Sequence, residues 1–200
     1  KNWELKTEQP LSGDPGVDDD QIYMGTIDGR VIAYERGSGT ELWNAQVSSE
    51  VLTPPESAEG IVVVRCIDGR VFGLDAVNGR RIWIYDHKVP LLTLRGNPNL
   101  LIRAGVVFVG YDDGSVVSLK LEDGSVVWNQ TIVSLEGRTE LERLADIGTQ
   151  MVIIASDLIV SSYKKRVVSL AADSGRLLWF KEISSATGIQ VDRTNLAVSE

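Results

Sequence analysis

Cysteine and histidine are almost missing from this chain of 200 residues, each occurring once. Cys66 has no second cysteine to pair with, so disulfide chemistry within the chain is excluded and cysteine usage does not define a redox compartment. It ends the apolar run Ile61-Val62-Val63-Val64-Arg65-Cys66, where a buried and inert thiol is expected rather than a nucleophile. A Ser/His/Asp triad or a zinc site would have to rest on His87 alone, which disfavours both. No apolar run approaches the ~18 residues that a membrane-crossing helix needs. No signal peptide opens the chain, but Lys1 falls inside a repeat, so the absence of a leader or anchor carries little weight. Positive charge is also short, with 20 basic against 28 acidic residues and a net charge of −8. No nucleic-acid partner is expected, because phosphate binding needs a cationic face, and an anionic lipid surface is disfavoured for the same reason. No P-loop or GxGxxG phosphate loop occurs, and no stretch has the dense oxygen-ligand spacing of a calcium loop. The run Asp18-Asp19-Asp20 is expected to be a solvated loop rather than a metal site. No catalytic, cofactor-binding or metal-ligating residue is therefore assigned.

What the chain has is repetition. An apolar fraction of 43% provides for a core. Tryptophans stand at Trp3, Trp43, Trp83, Trp128 and Trp179, and the last four each follow a glycine by four residues: Gly39, Gly79, Gly124 and Gly175. Each pair closes a phrase: DGRVIAYERGSGTELW, DGRVFGLDAVNGRRIW, DGSVVSLKLEDGSVVW and KKRVVSLAADSGRLLW. The spacing from Gly29, Gly69, Gly114 and, in the last phrase, Lys165 to the following tryptophan is 14 residues every time. Asp-Gly between apolar runs is a tight hairpin signal, and the second Gly-containing turn closes the next hairpin. Further strands are expected before each phrase at Gln21–Thr26, Ile61–Ile67, Val106–Tyr111 and Met151–Ser156, each preceded by one more. The unit is thus four antiparallel strands in about 40 residues, the length and strand count of a propeller blade. The expected fold is all-β, a single partial β-propeller over residues 1–200. Its blade-like repeats lie at about 9–48, 49–88, 97–134 and 148–184, with partial blades at both ends. A tryptophan recurring in every unit is expected to pack between neighbouring sheets rather than to form a ligand cage.

The breaks in the repeat carry more functional information. From Trp3 to Gly29 and from Trp43 to Gly69 the spacing is 26 residues, whereas Trp83 to Gly114 takes 31 and Trp128 to Lys165 takes 37. The third and fourth units therefore hold 5 and 11 extra residues in the connection from one blade to the next. In an antiparallel unit that connection leaves from the same end as the Asp-Gly turn, so both insertions are expected on one face, where repeat proteins often bind. The first is Val89-Pro90-Leu91-Leu92-Thr93-Leu94-Arg95-Gly96-Asn97-Pro98, three leucines beside an arginine. Such a group suits a protein-docking hot spot, though leucines that only tuck the loop onto its blade fit equally well. The second spans Leu135 to Ile147 and is dense in charge. Its Arg138, Glu140, Glu142 and Arg143 suit either docking or an internal ion-pair network, and Glu136–Ile147 has room for a turn or two of helix.

The phrases VPLLTLRGNP and GRTELERLADIGT resemble the LxLRG loop and the acidic Asp-containing segment of the BamB lipoprotein family of the bacterial outer-membrane β-barrel assembly machine. The two motifs occur in the family's order, one blade apart, on the same repeat background. The resemblance implies an eight-bladed propeller of which about four blades are present, so the chain is read as a fragment. It implies a non-catalytic scaffold on the periplasmic face of the outer membrane, held by a lipid anchor in the full-length protein. It also implies docking to the periplasmic domains of the central barrel-assembly protein. The implied partner-binding residues are Leu92, Leu94, Arg95 and Asp146. Gly148 stands where the family has a second acid, and Tyr163-Lys164-Lys165-Arg166 replaces the fourth Asp-Gly turn. The open blade faces of a half ring imply possible self-association of two copies. Propellers of this repeat type also include quinone-dependent dehydrogenases, and a fragment of one is the alternative reading. Those enzymes need calcium, a catalytic aspartate and usually a vicinal cysteine pair, which the single Cys66 cannot supply. A eukaryotic organelle-membrane scaffold built from similar repeats is a third reading, and it should lack the LRG loop.

Overall fold

The computed structural model describes residues 3–4, 7, 10–51, 53–88, 100–132, 147–162, 166–182, 189–191 and 196–198. Its regular structure is β throughout. The first sheet runs β1 (Leu11–Val17), β2 (Gln21–Thr26), β3 (Arg30–Glu35) and β4 (Glu41–Gln46). The second runs β5 (Glu56–Ala58), β6 (Ile61–Arg65), β7 (Val71–Asp75) and β8 (Arg81–Tyr85). The third runs β9 (Leu101–Arg103), β10 (Val106–Gly110), β11 (Ser115–Lys120) and β12 (Val126–Thr131). The fourth runs β13 (Ile147–Ile154), β14 (Asp157–Ser162), β15 (Arg166–Ala171) and β16 (Leu177–Glu182), and β17 (Ile189–Val191) pairs with β18 (Leu196–Val198). In each four-stranded sheet the strands lie side by side in sequence order. Contacts divide the chain into two compact units. One is Lys1–Lys88 with Ile102–Val107 and Lys120–Ser125, and the other is Val89–Leu101, Phe108–Leu119 and Val126–Glu200.

The turn chemistry acts as the phrases imply. The amide of Gly29 donates to Thr26 O and that of Gly69 to Cys66 O, closing the second hairpin of each sheet. In the third hairpin the amide of Gly79 donates to Asp75 O at 2.8 Å, and Gly79 has φ +71°. The strand expected at Gln21–Thr26 is β2, while those expected at Ile61–Ile67 and Val106–Tyr111 stop at Arg65 and Gly110, where the turns begin. The strand expected at Met151–Ser156 is misplaced. Met151–Ile154 closes the outermost-in-sequence strand β13, the chain turns at Ala155-Ser156, and the strand preceding the last phrase is β14. That turn carries Ala155 at φ +52°, and its Ser156-Asp157 is a weaker turn signal than the glycine that follows Glu59 and Ala104 in the second and third sheets.

The tryptophans hold successive sheets together. Trp43, Trp83 and Trp128 are buried to 7%, 6% and 8% exposure. Each indole N–H donates to a carbonyl in the third hairpin turn of the following sheet: Trp43 to Ala76, Trp83 to Leu121 and Trp128 to Ala172, at 2.8–2.9 Å. Trp3 makes the same bond to Arg36. The accepting carbonyl always lies three residues before the turn glycine, and that glycine lies against the same ring. The Gly and the Trp of one phrase therefore belong to two different contacts. Opposite each tryptophan on the neighbouring strand stands a small residue: Ala33, Gly73, Ser118 or Ser169. A register shift follows that position every time, leaving Leu42, Ile82, Val127 and Leu178 unpaired and exposed. A bulge of this kind re-aims the side chain beside it, here turning the indole inward.

Asp18 is built into the first unit rather than left in solvent. Its carboxylate accepts the amides of Asp20 and Gln21, the Tyr23 hydroxyl at 2.7 Å and the Ser57 hydroxyl at 2.9 Å. Ser57 lies on β5, so the turn after β1 is tied to the second sheet. Burial pushes the Asp18 pKa up, but the hydrogen bonds from Tyr23, Gln21, Asp20 and Ser57 outweigh it and hold the group below its ordinary 3.8. Burial and the adjacent Asp18 carboxylate push the Tyr23 phenol upward. Cys66 is 1% exposed, and burial pushes its thiol up, as the inert-thiol reading required.

Two outcomes test these contacts. A Cβ on Gly79 would stand 2.5 Å from Cε3 of Trp43, whereas one on Gly60 (φ +78°) meets nothing within 4 Å. In urea unfolding followed by tryptophan fluorescence, Gly60→Ala should lose about 1–2 kcal/mol from the left-handed backbone alone. Gly79→Ala should lose about 2–4 kcal/mol, because overpacking adds to that cost. Equal losses would mean that the ring contact contributes nothing. The folded Asp18 pKa lies below the unfolded one, so its stabilisation is complete above 3.8 and disappears as pH falls through the lower folded value. Asp18→Ala should cost about 1.5–3 kcal/mol at neutral pH. It should also flatten the wild-type decline in the urea midpoint below pH 4, and an unchanged acid slope would contradict the assignment.

Candidate functional site

The residues singled out for docking, Leu92, Leu94, Arg95 and Asp146, lie outside the described residues, as do Arg138, Glu140, Glu142 and Arg143. The helical turn allowed for at Glu136–Ile147 also falls there, except for Ile147, which opens β13. What the structure describes is where the two inserted connections are rooted. At the end of β12, the amide of Ile132 donates to Gly114 O at 2.9 Å. The corresponding residue after β4, Val47, donates to Gly29 O at 2.8 Å. The connection from the last strand thus starts against the Asp-Gly turn of its own sheet, the end that strand direction requires.

The first inserted connection starts after β8 beside a charged clasp. Arg70 follows the Asp68-Gly69 turn, and its guanidinium reaches Asp68 Oδ2 at 3.2 Å and Asp86 Oδ2 at 3.3 Å. Asp86 and Asp68 hold the Arg70 guanidinium above its ordinary range. The Tyr85 and His87 rings lie 6.3 Å apart at the same root. These groups are partly exposed, so the ion pairs add little to stability. Sequence reasoning missed it, although the signal was present in the register. In the first and fourth sheets the first residue of the third strand faces the last residue of the final strand, giving Arg30 against Gln46 and Arg166 against Glu182. Arg166 bonds Glu182 at 3.0 Å and lies over the Phe180 ring at 5.6 Å.

In the second unit, a cavity of about 160 Å³ lies between β12 and β16, floored by Val168 and Leu170 with Arg166 at its edge. That is below the ~300 Å³ at which small-molecule pockets begin. Asp18, Asp19 and Asp20 line a shallow hollow with Ser57 and Glu59, but the Asp18 carboxylate is already taken up by its four hydrogen bonds. Among the described residues, no three Cys, His, Asp or Glu side chains converge as a metal site would require.

Residues 1–200 match the family described as "Outer membrane protein assembly factor BamB". The chain is 36% identical over 198 residues to a protein of that name from Nitrosomonas eutropha, covering 99% of this chain and 48% of the relative. It is 40% identical over 195 residues to the one from Xanthomonas campestris, again covering 48% of the relative. The chain therefore spans about half the length of the curated relatives it matches. Its fold superposes on the crystal structure of BamB from Moraxella catarrhalis with a TM-score of 0.90 and 27% identity, over 97% of this chain and 60% of that one. A europium-containing methanol dehydrogenase superposes with a TM-score of 0.73 at 14% identity, a likeness of fold alone. With blades of the propeller type, about half of the relatives' length and a match along every residue, the chain belongs to the BamB family of outer membrane protein assembly factors.

Proposed function

We propose that this chain forms part of a non-catalytic scaffold for outer-membrane protein assembly. It would dock to the periplasmic domains of the central barrel-assembly protein through Leu92, Leu94 and Arg95 in one inter-blade connection and Asp146 in the next. The scaffold would work on the periplasmic face of the outer membrane, lipid-anchored in the full-length protein. One observation carries the reading. The extra residues fall only in two connections, those connections hold the family's motifs, and the second starts against the Asp-Gly turn of its sheet while the first starts at Asp86, which pairs with Arg70 beside the Asp68-Gly69 turn. Leucines flanking an arginine are the composition of an interface anchor, in which an apolar contact is oriented by a planar cation. Asp146 supplies a carboxylate for a basic group on the partner, and Gly148 leaves it without the second acid of the family pattern.

The dehydrogenase-fragment reading has only the shared fold behind it, at 14% identity. A pull-down of the barrel-assembly protein's periplasmic domains tests the docking. The wild-type chain should retain them. Leu92→Ala/Leu94→Ala/Arg95→Ala should weaken retention by at least about tenfold, the usual consequence of removing a hot-spot cluster. Asp146→Ala should weaken it less and should lose its effect at high salt, since a single rim charge is screened. Equal retention by wild type and a folded triple variant would remove the site.

A further inference from the structure

We infer that Asn78-Gly79 is a self-modification site, an asparagine that loses ammonia by ring closure onto its own backbone, and that the Trp43 contact governs the rate. The chain contains one Asn-Gly pair, and it lies in the turn that receives Trp43. The same two places in the other turns that hold an indole are Ser38-Gly39, Asp123-Gly124 and Ser174-Gly175. In the reaction the nitrogen of Gly79 loses its proton and attacks the side-chain carbonyl carbon of Asn78, and ammonia leaves as a five-membered imide forms. Water then opens the imide at either carbonyl. One product is aspartate with the normal backbone, and the other is isoaspartate with an extra methylene in the backbone. Glycine hinders the attack least, because it has no side chain. Serine has no carbonyl with which to close the ring, and aspartate closes it only when its carboxyl is protonated. Hydrogen bonds from the Ser125 hydroxyl and amide hold the Asp123 carboxyl below its ordinary range, which keeps it ionised. Asn78 has no such protection from its own chemistry.

The folded turn presents the asparagine to water and withholds the nucleophile. Asn78 is exposed, whereas Gly79 is buried. The Gly79 amide donates to Asp75 O at 2.8 Å, and the Trp43 ring lies against the glycine. The Asn78 side-chain oxygen accepts the Arg80 amide at 2.9 Å, and the Trp43 indole N–H is bonded to Ala76 O at 2.8 Å. Freeing the Gly79 nitrogen therefore requires the turn to open with the indole withdrawn, a local opening of the kind that limits amide hydrogen exchange. The rate is then the intrinsic rate multiplied by the open fraction. Isoaspartate does not reseal the turn. The contact needs the accepting carbonyl three residues before the glycine, and isoaspartate lengthens that path by one backbone atom. Its formation ends the Trp43 contact between the first two sheets, while aspartate with the normal backbone preserves it. This chemistry is independent of the docking proposed above.

Incubation of the intact chain in warm, mildly alkaline buffer, followed by peptide mapping with mass spectrometry, tests the inference. Wild type should deamidate at Asn78 at least about tenfold more slowly than a free peptide of residues 74–82, because the open fraction is small. Trp43→Phe keeps a ring but removes the N–H donor, and it should accelerate the reaction at least about fivefold. Trp83→Phe makes the same change in the next contact and should leave the rate at Asn78 unaltered, which separates gating from a general loss of stability. The isoaspartate fraction should show tryptophan emission at longer wavelength and a lower urea midpoint. Asn78→Asp should match wild type in both. A wild-type chain that reacts as fast as the peptide overturns the inference, and so does a Trp43→Phe variant no faster than Trp83→Phe. An isoaspartate fraction with wild-type emission and midpoint overturns the loss of the contact.

Discussion

Every blade of this protein depends on one contact, an indole laid against a left-handed glycine and hydrogen-bonded to the carbonyl three residues before it. The contact joins features that are costly apart. A glycine at φ +71° gives up backbone freedom, and an apolar ring on an outer strand would otherwise meet water. Together they fill each other's space, and the indole N–H finds an acceptor that a buried tryptophan needs. Burying an aromatic of this size at about 25 cal/mol per Å² contributes roughly 4–6 kcal/mol as an upper bound. The bulge beside each tryptophan and the small residue opposite it serve the same contact, one by turning the ring inward and the other by leaving space beneath it.

The phrase Gly-x-x-x-Trp was legible as a repeat, but its logic was not. Read along the chain, Gly39 and Trp43 look like parts of one motif. In space Gly39 receives Trp3, and Trp43 goes on to Gly79. Periodicity cannot distinguish a contact within a unit from one between units, because both recur with the same spacing. The small residues at Ala33, Gly73, Ser118 and Ser169 were visible in the phrases and went unread, since a small residue in a strand has many possible reasons. The misplaced strand at Met151–Ser156 has a simpler cause. The run from Met151 to Ser162 holds two strands, and the turn between them uses Ala155 and Ser156 in place of the glycine found at Gly60 and Gly105.

The proposed docking residues rest on a different kind of signal. Nothing in the physical chemistry of Leu92, Leu94, Arg95 or Asp146 distinguishes a docking loop from one folded back on its own blade. Counting residues between fixed points located the loops, and the resemblance of VPLLTLRGNP and GRTELERLADIGT to family motifs assigned them a role. The Arg70 clasp at the root of the first loop needed register, which sequence alone does not supply. Asp18 departs from the solvated-loop reading that its exposed neighbours Asp19 and Asp20 keep, for a related reason. Three consecutive acids look solvated, yet the first turns inward because Tyr23 and Ser57 present hydroxyls to it.

The same contact explains why insertions are tolerated where they fall. Along the chain, the separation between a docked tryptophan and its accepting carbonyl is 33 residues for Trp3 and Trp43, 38 for Trp83 and 44 for Trp128. The increments of 5 and 11 are the whole of the two insertions, so each added residue lies in the loop that the dock closes. Loop closure costs grow only as (3/2)RT ln n, and lengthening a 33-residue loop to 44 costs about 0.3 kcal/mol. A dock worth several kcal/mol absorbs that readily. An insertion inside a phrase would instead shift a strand by one or more positions and turn the indole to the wrong face. Selection can therefore rewrite the connections between blades at almost no cost in stability while the phrases stay fixed. A propeller stabilised by this contact is free to vary in those connections, which is where both family motifs lie.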